Sequence, residues 1–272
     1  MLYKKQFGFK KMHSTEHAVV KLVNDISDAL NNDYFTLGVF IDLSKAFDTV
    51  NHDILLEKLD YYVIRNKNLL WFKDYLTKRK QFIYYDSKES FKHSITCGVP
   101  QGSILGPLLF LVYINDLYLS STPLNFILFA DDSNLFYSHN DIKTLFKVVN
   151  EQLDKVNEWF VSNKLSLNVG KTKYILFHKL NKTDNIPLKL PNLIINKSII
   201  KRDLSVTFLG VELDANLRWN FHIKSLEKKL PKSIGMIYRV KQFLNFKSLK
   251  SLYFALYLLD ILQHCLGEYQ FY

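Results

Sequence analysis

Two adjacent aspartates, Asp131 and Asp132, stand inside an otherwise apolar run, Phe126-Ile-Leu-Phe-Ala-Asp-Asp-Ser-Asn-Leu-Phe136. Neighbouring carboxylates repel one another, and stripping water from them near a core is costly unless a cation compensates them. The Phe-, Leu- and Ile-rich flanks predict two strands joined by a tight turn, which would carry both acids to the rim of a sheet. Oxygen ligands at such a rim suit Mg²⁺. Aspartate also favours turns for local backbone reasons, so the pair alone leaves plain turn chemistry open. A third acid shifts the balance. Thr36-Leu-Gly-Val-Phe-Ile-Asp42 is a second strand-like run that ends on a carboxylate. Acids from two neighbouring strands could clamp a pair of divalent ions. In two-metal sites such ions lie roughly 3.5–4 Å apart and stabilise the attacking and leaving oxygens of a phosphoryl displacement. The competing role for Asp42 is a helix cap, for which Asp48 and Asp53 are better placed.

The third segment runs from Cys97 through Gly98-Val-Pro-Gln-Gly-Ser-Ile-Leu-Gly-Pro107 to Leu117. Gly98, Pro100 and Gly102 predict a turn, Ser103 a cap, and Pro107 the first turn of a buried helix from Leu108 to about Leu117. A glycine-rich turn entering a helix lets backbone N–H groups approach a phosphate or a base. Many loop-to-helix junctions share that pattern, so this segment is weak by itself.

Taken together and in this order, Phe40-Ile-Asp-Leu-Ser-Lys-Ala-Phe-Asp48, the Gly98–Pro107 stretch and Phe129-Ala-Asp-Asp132 resemble the polymerase motifs of reverse transcriptases. Their wording is similar to the non-LTR retrotransposon branch of the jockey and CR1 type. Flanking stretches agree. Gln6-Phe-Gly-Phe-Lys10 is similar to the family's fingers block. Trp159-Phe-Val-Ser-Asn-Lys-Leu-Ser-Leu-Asn-Val-Gly-Lys-Thr172 resembles the block after the catalytic hairpin, and Phe208-Leu-Gly-Val211 the strand beyond it. The likeness extends from about Gln6 to about Tyr257.

The resemblance implies an α+β fold, a right-hand polymerase palm with partial fingers and a partial, truncated thumb. Residues 1–215 would form fingers and palm, with the N-terminal fingers incomplete, and residues 216–272 a helical thumb with an atypical C-terminal end. It implies a nucleotidyltransferase, an RNA-directed DNA polymerase that takes an RNA template, a DNA primer and deoxynucleoside triphosphates. Two Mg²⁺ ions are the implied cofactors, with Mn²⁺ an alternative because both accept oxygen ligands. Asp42 and Asp131 would be the principal ligands, with Asp132 beside them and Leu43 lending its carbonyl. The primer 3′-hydroxyl would attack the α-phosphorus and pyrophosphate would leave.

Other residues carry over individually. Lys171 matches the lysine that protonates departing pyrophosphate, and Lys173 is close enough to exchange roles with it. Ala46 would offer its amide to the triphosphate. Phe47 matches the bulky gate that excludes a 2′-hydroxyl, ordinary core packing being the alternative. Gln101 and Gly102 match positions that contact nucleotide and template, although a purely backbone requirement also suits Gly102. Lys10 replaces the family's usual arginine and would meet a phosphate as a point charge instead of a bidentate fork.

Two other functions stay open. One is a non-catalytic nucleic-acid-binding remnant; the other is an intron-type reverse transcriptase or maturase. The wording Ala46-Phe-Asp-Thr-Val-Asn-His-Asp53 favours the animal-element branch, and no maturase segment is appended. The family's earlier fingers segment and endonuclease domain do not appear, and residues 258–272 depart from the thumb pattern, as a shifted frame or a decayed copy would. The expectation is a fragment of a mobile-element polyprotein.

Composition is compatible with this reading. The 272 residues are 48% hydrophobic, enough for one large core or two subdomains sharing an interface. A formal net charge of +10 favours a polyanionic partner. Cys97 and Cys265 supply neither a disulfide framework nor a zinc site. The start, broken by Lys4, Lys5, Lys10 and Lys11, is no signal peptide. The longest strongly apolar stretch, Pro107 to Ile114, is far short of the roughly 20 residues of a membrane span. An intracellular protein, nuclear or cytoplasmic, is expected.

The elements that must position the acids are legible in the periodicity. Ser14 opens a helix with the stripe Ala18, Val19, Leu22, Val23, Ile26 and Leu30, closed by Asn31-Asn32. Leu55, Leu56, Leu59 and Val63 predict another helix, and Leu69, Phe72, Tyr75 and Leu76 a third. Gln81 to Tyr85 and His93 to Thr96 predict strands. Asp141 opens a long helix with Leu145, Val149, Leu153, Val156 and Phe160 on one face. Asn181 to Pro191 predicts a loop, and Trp219 to Phe254 a basic helical region divided at Pro231.

Overall fold

Strand β1 (Phe35–Ile41) is buried along its whole length, and the elements around it explain why. The computed structural model describes residues 2–255. Helix α1 (Thr15–Asn31) precedes β1, and a single 3₁₀ turn (Ala46–Asp48) leads on to α2 (His52–Tyr61) and α3 (Asn66–Leu76). Four two-residue strands follow: β2 (Lys80–Gln81), β3 (Tyr84–Tyr85), β4 (Lys88–Glu89) and β5 (His93–Ser94). Next come α4 (Leu105–Ile114), the hairpin β6 (Asn125–Phe129) and β7 (Asp132–His139), α5 (Ile142–Ser162) and β8 (Lys173–Phe177). The chain continues through β9 (Ile194–Ile195), β10 (Ser198–Ile199), β11 (Lys201–Arg202), β12 (Ser205–Phe208) and β13 (Val211–Asp214) to α6 (Asn220–Val240) and α7 (Phe246–Tyr253).

The central sheet has the order β11-β8-β1-β7-β6, with β1 in the middle. β1 runs antiparallel to both β7 and β8, and β11 joins β8 in parallel. Alternate residues of a strand face opposite sides, and β1 uses both. Leu37, Val39 and Ile41 enter one core with Leu109 and Phe110 of α4 and Leu145, Val149 and Leu153 of α5. Phe40 enters a second core with Leu22 and Ile26 of α1 and with Phe208 and Leu213 of the β12–β13 hairpin. A sheet covered on both faces needs apolar residues at every position, which explains the unbroken Thr36–Ile41 run. Each fully buried Leu, Ile, Val or Phe contributes about 1.5–3 kcal/mol relative to exposure.

Local signals set most boundaries. Ser14 accepts from the His17 N–H and caps α1, and Asp141 accepts from the Thr144 N–H and caps α5. Ser103 Oγ takes the Gly106 N–H at 2.9 Å, with Pro107 in the first turn of α4. That helix begins at Leu105, earlier than its apolar run suggests, because this hydroxyl stabilises the turn ahead of the proline. Other expectations need correction. Asp48 and Asp53 cap nothing: Asn51 caps α2 by accepting from the Ile54 N–H, while Asp48 lies in the 3₁₀ turn. Pro231 does not divide the last region, because α6 runs through it. Both Pro231 and Glu227, whose carbonyl loses its i+4 donor, are exposed, so water can satisfy that oxygen. Within the expected 181–191 loop, Leu180–Asn185 forms 3₁₀ turns. Asp214 turns β13 into α6 by accepting the N–H groups of Asn216, Arg218 and Asn220. The atypical stretch at 258–272 lies outside the described residues. Among the described residues no helix is long and apolar enough to cross a membrane.

Gly38 shows how tightly the sheet's second face is filled. A Cβ at this position would stand 2.8 Å from Phe136 Cε1 and 3.0 Å from Phe177 Cε2. Both rings are buried and cannot withdraw freely. Gly38→Val is therefore expected to destabilise the chain by about 1–3 kcal/mol, measured as a lower urea midpoint with unchanged slope.

Candidate active site

The antiparallel register decides which acids meet. Ile41 pairs with Ser133, so Asp42, the next residue beyond β1, comes opposite Asp132, the first residue of β7. Phe129 pairs with Asp132, which leaves Ala130 and Asp131 as a two-residue turn between β6 and β7. Ala130 has φ +53°, as the first central position of a primed hairpin turn requires. A non-glycine residue is uncommon in that region and carries about 1–2 kcal/mol of strain. Phe40 pairs with Lys173, so the start of β8 lies at this same end of the sheet. Carboxylates 42, 131 and 132 and the residues that open β8 thus share one rim.

Electrostatics shows that the three acids feel one another. Reduced hydration, then the charges of Asp131 and Asp42, push Asp132 up to about 6. Asp131 is raised chiefly by burial, with Asp42 adding to it and its own backbone N–H opposing. Asp132 is exposed, yet the sheet end lies close enough around its carboxyl to weaken its hydration. No protein cation figures among the causes of either shift. Among the described residues no three His, Cys, Asp or Glu side chains close into a ligand set. Repulsion alone would keep such acids apart, and Mg²⁺ commonly takes only one or two carboxylates together with substrate phosphates and water. An uncompensated group of hard oxygen donors fits a divalent cation.

The backbone around Asp42 ties a second segment to this rim. Its carbonyl accepts the Asn168 N–H at 2.9 Å, and Ser44 donates to the Ser166 carbonyl at 2.9 Å. Leu43 and Leu167 are therefore a non-hydrogen-bonded bridge pair, which leaves the Leu43 carbonyl out of that pairing. The Asp42 N–H donates to Thr172 Oγ1 at 3.3 Å, and the same hydroxyl donates to the Asn168 carbonyl at 3.0 Å. Lys171, exposed, is carried between Asn168 and Thr172. Lys173 is engaged elsewhere, in a 2.8 Å ion pair with Asp203, and that contact holds the Asp203 carboxyl below its ordinary range.

The remaining expected residues lie on the segment after Asp42 and on the glycine-rich loop. Phe47 is half-buried and stacks on Phe110 with ring centroids 4.5 Å apart, while its carbonyl accepts the Val99 N–H at 2.9 Å. Ala46 is buried. The glycine-rich loop docks on the segment after Asp42: Gly98 donates to the Val50 carbonyl at 2.7 Å, and the Gly98 carbonyl meets His52 Nε2 at 2.8 Å. Gln101 Nε2 donates to Asp48 Oδ1 at 2.8 Å. Gly102 has φ +81° and, among the described residues, nothing within 4 Å of a would-be Cβ, so backbone conformation, not space, demands glycine there. Thr172 and Asn168 received no role from the sequence. A threonine directly after the matched lysine was the available signal.

The chain is similar to proteins already known. Residues 1–213 match the family model described as reverse transcriptase (RNA-dependent DNA polymerase). The RNA-directed DNA polymerase from mobile element jockey of Drosophila melanogaster is 28% identical over 231 residues, covering 82% of this chain and 24% of that protein. The probable RNA-directed DNA polymerase from transposon BS of the same species is 31% identical over 238 residues, covering 82% of this chain and 25% of that protein. The chain thus spans about a quarter of the length of these curated relatives. Apo telomerase from Candida tropicalis shares the fold, with TM-score 0.51 and 11% identity over 76% of this chain and 36% of that one.

The raised Asp132 carboxyl makes stability depend on pH. An acid whose folded pKa exceeds its unfolded value stabilises the fold below about 4 and loses that contribution as pH rises through about 6. In chelator-treated protein, Asp132→Asn should raise stability at pH 7 by about 1 kcal/mol, after discounting for solvent at this group. At pH 4 the difference should vanish. Thermal melts at the two pH values check both statements.

Proposed function

The chain belongs to the reverse transcriptase (RNA-dependent DNA polymerase) family, and from that premise we propose that it is the polymerase portion of a non-LTR retrotransposon protein, extending a DNA primer on an RNA template. The observation that carries this reading is the β1–β7 register, which sets Asp42 opposite Asp132 with Asp131 in the adjoining turn. The central sheet with α1, α4 and α5 is read as the palm, and α2, α3 and the short strands between α3 and α4 as part of the fingers. Residues 1–215 then form fingers and palm, and α6 and α7 within residues 216–272 begin a thumb. The net charge of +10 supports a nucleic-acid partner.

Asp42 and Asp131, with Asp132 and the Leu43 carbonyl, are the groups proposed to hold two divalent ions, Mg²⁺ or Mn²⁺. When bound, such ions supply positive charge to the oxygens on which charge develops during phosphoryl transfer. The protein's own part is positioning. The Asn168 and Thr172 contacts fix the Asp42 backbone and hold the exposed Lys171 near the same rim. From there its ammonium can hand a proton to the departing pyrophosphate oxygen. Phe47, anchored on Phe110 while part of it stays accessible, serves as the wall that leaves no room for a 2′-hydroxyl. Ala46, Gln101 and Gly102 are assigned to the nucleotide and the template strand on the strength of the motif match.

Primer extension with the purified chain tests the proposal. Mg²⁺-dependent incorporation of deoxynucleotides on an RNA template is expected, with Asp131→Asn slowing it by about a thousandfold or more. Salt-sensitive RNA binding without any incorporation would instead mark a non-catalytic remnant. Phe47→Ala should raise incorporation of ribonucleotides relative to deoxynucleotides while sparing deoxynucleotide turnover, read from parallel single-nucleotide assays.

A further inference from the structure

Residues 5–8 lie along the outer edge of β6. Phe7 donates to the Leu128 carbonyl at 2.8 Å, and Leu128 donates back to the Lys5 carbonyl at 3.0 Å. Gln6 pairs with Leu128 as a parallel bridge. Its side chain is only 1% exposed, an uncommon position for an amide. Gln6 Oε1 accepts two N–H groups, from Gly8 at 2.9 Å and from Ala130 at 3.1 Å. Two donors converging on one atom identify that end of the amide as the oxygen. Gln6 Nε2 is buried without a hydrogen-bond partner among the described residues, which disfavours the residue on stability grounds alone. An apolar side chain would avoid that cost but would leave the Ala130 N–H without an acceptor.

Ala130 is the residue where such support matters. It is buried, has φ +53°, and lies outside the ladder closed by Phe129 and Asp132. The next residue is Asp131. Strained backbone persists only where surrounding contacts over-determine it, and Gln6 supplies one from a distant part of the chain. Gly8 completes the arrangement: a Cβ there would fall 2.4 Å from the Ala130 nitrogen, so only glycine lets the segment pass this close.

We propose that Gln6 is a positioning residue for the acidic cluster: through the Ala130 amide it holds the turn in the conformation that presents Asp131 and Asp132 beside Asp42. This rests on the polymerase reading of those acids and extends it to a residue whose side chain bonds the backbone of Gly8 and Ala130. The action is geometric. Without the acceptor, the turn relaxes toward unstrained φ and Asp131 moves away from its place in the turn beside Asp132 and Asp42.

Amide hydrogen exchange on the full chain, together with primer extension, tests the proposal. In the wild-type protein the Ala130 amide should exchange at least about tenfold more slowly than an open turn amide, and Gln6→Met and Gly8→Ala should each release it. Both variants should lower kcat by about ten- to a hundredfold, counted per primer–template-bound molecule so that unfolded chain is ignored. KM for the deoxynucleotide should stay within about twofold, since ground-state binding is untouched. An Ala130 amide that exchanges freely in the wild type overturns the proposal and needs no variant to fold. So does wild-type kcat in Gln6→Met once its Ala130 amide is released. If the wild-type chain incorporates nothing, the polymerase reading fails, and the exchange measurement still decides whether Gln6 braces the turn.

Discussion

Mutual repulsion of three carboxylates at one end of a sheet is the constraint around which this molecule is organised. The β1–β7 register sets Asp42 opposite Asp132 and leaves Asp131 in the turn. The cost appears directly in the upward displacement of Asp131 and Asp132. A fold without a use for that cluster would be more stable with neutral residues there. Such a cost is normally met by stable structure elsewhere, and here the central strand supplies it.

β1 is buried on both faces, between the α4–α5 core and the α1–β12–β13 core. Because each face is filled by large rings and branched side chains, the strand cannot slip by a single residue. A slip would exchange the two faces and drive Phe40 into the core that holds Val39. Register is therefore enforced by packing, and the position of Asp42 follows from register. Energetically, hydrophobic burial in the middle of the sheet stabilises the unfavourable electrostatics at its end.

Two hydrogen-bonded devices refine the rim beyond what packing fixes. Thr172 and Asn168 bind the backbone on both sides of the Asp42 peptide and bring the Lys171 loop with them. On the other flank, residues 5–8 extend the sheet past β6 and engage the turn itself. Both devices act on backbone amides at or next to the acids, and neither bonds a carboxylate. The glycine-rich loop is docked in a similar manner, through Gly98 and Val99 onto the segment that carries Phe47 and His52.

Much of this was legible in the residues. Apolar runs on either side of Asp131 and Asp132, the helical stripes of α1 and α5, and the caps Ser14 and Asp141 are local patterns, and local patterns survive in sequence. The three motif blocks, and the family they indicate, are likewise properties of residue order. Where local reading failed, a neighbour decided: Asn51 displaced Asp48 and Asp53 as the cap of α2, and solvent at Pro231 and Glu227 let α6 continue. What only the tertiary structure determined are the contacts between residues far apart in the chain: Asp42 against Asp132, Thr172 on the Asp42 amide, Lys173 held by Asp203, and Gln6 beneath Ala130. Such contacts depend on strand register and on the shape of the packed core, quantities set by all neighbours at once. A single segment of sequence carries no record of them.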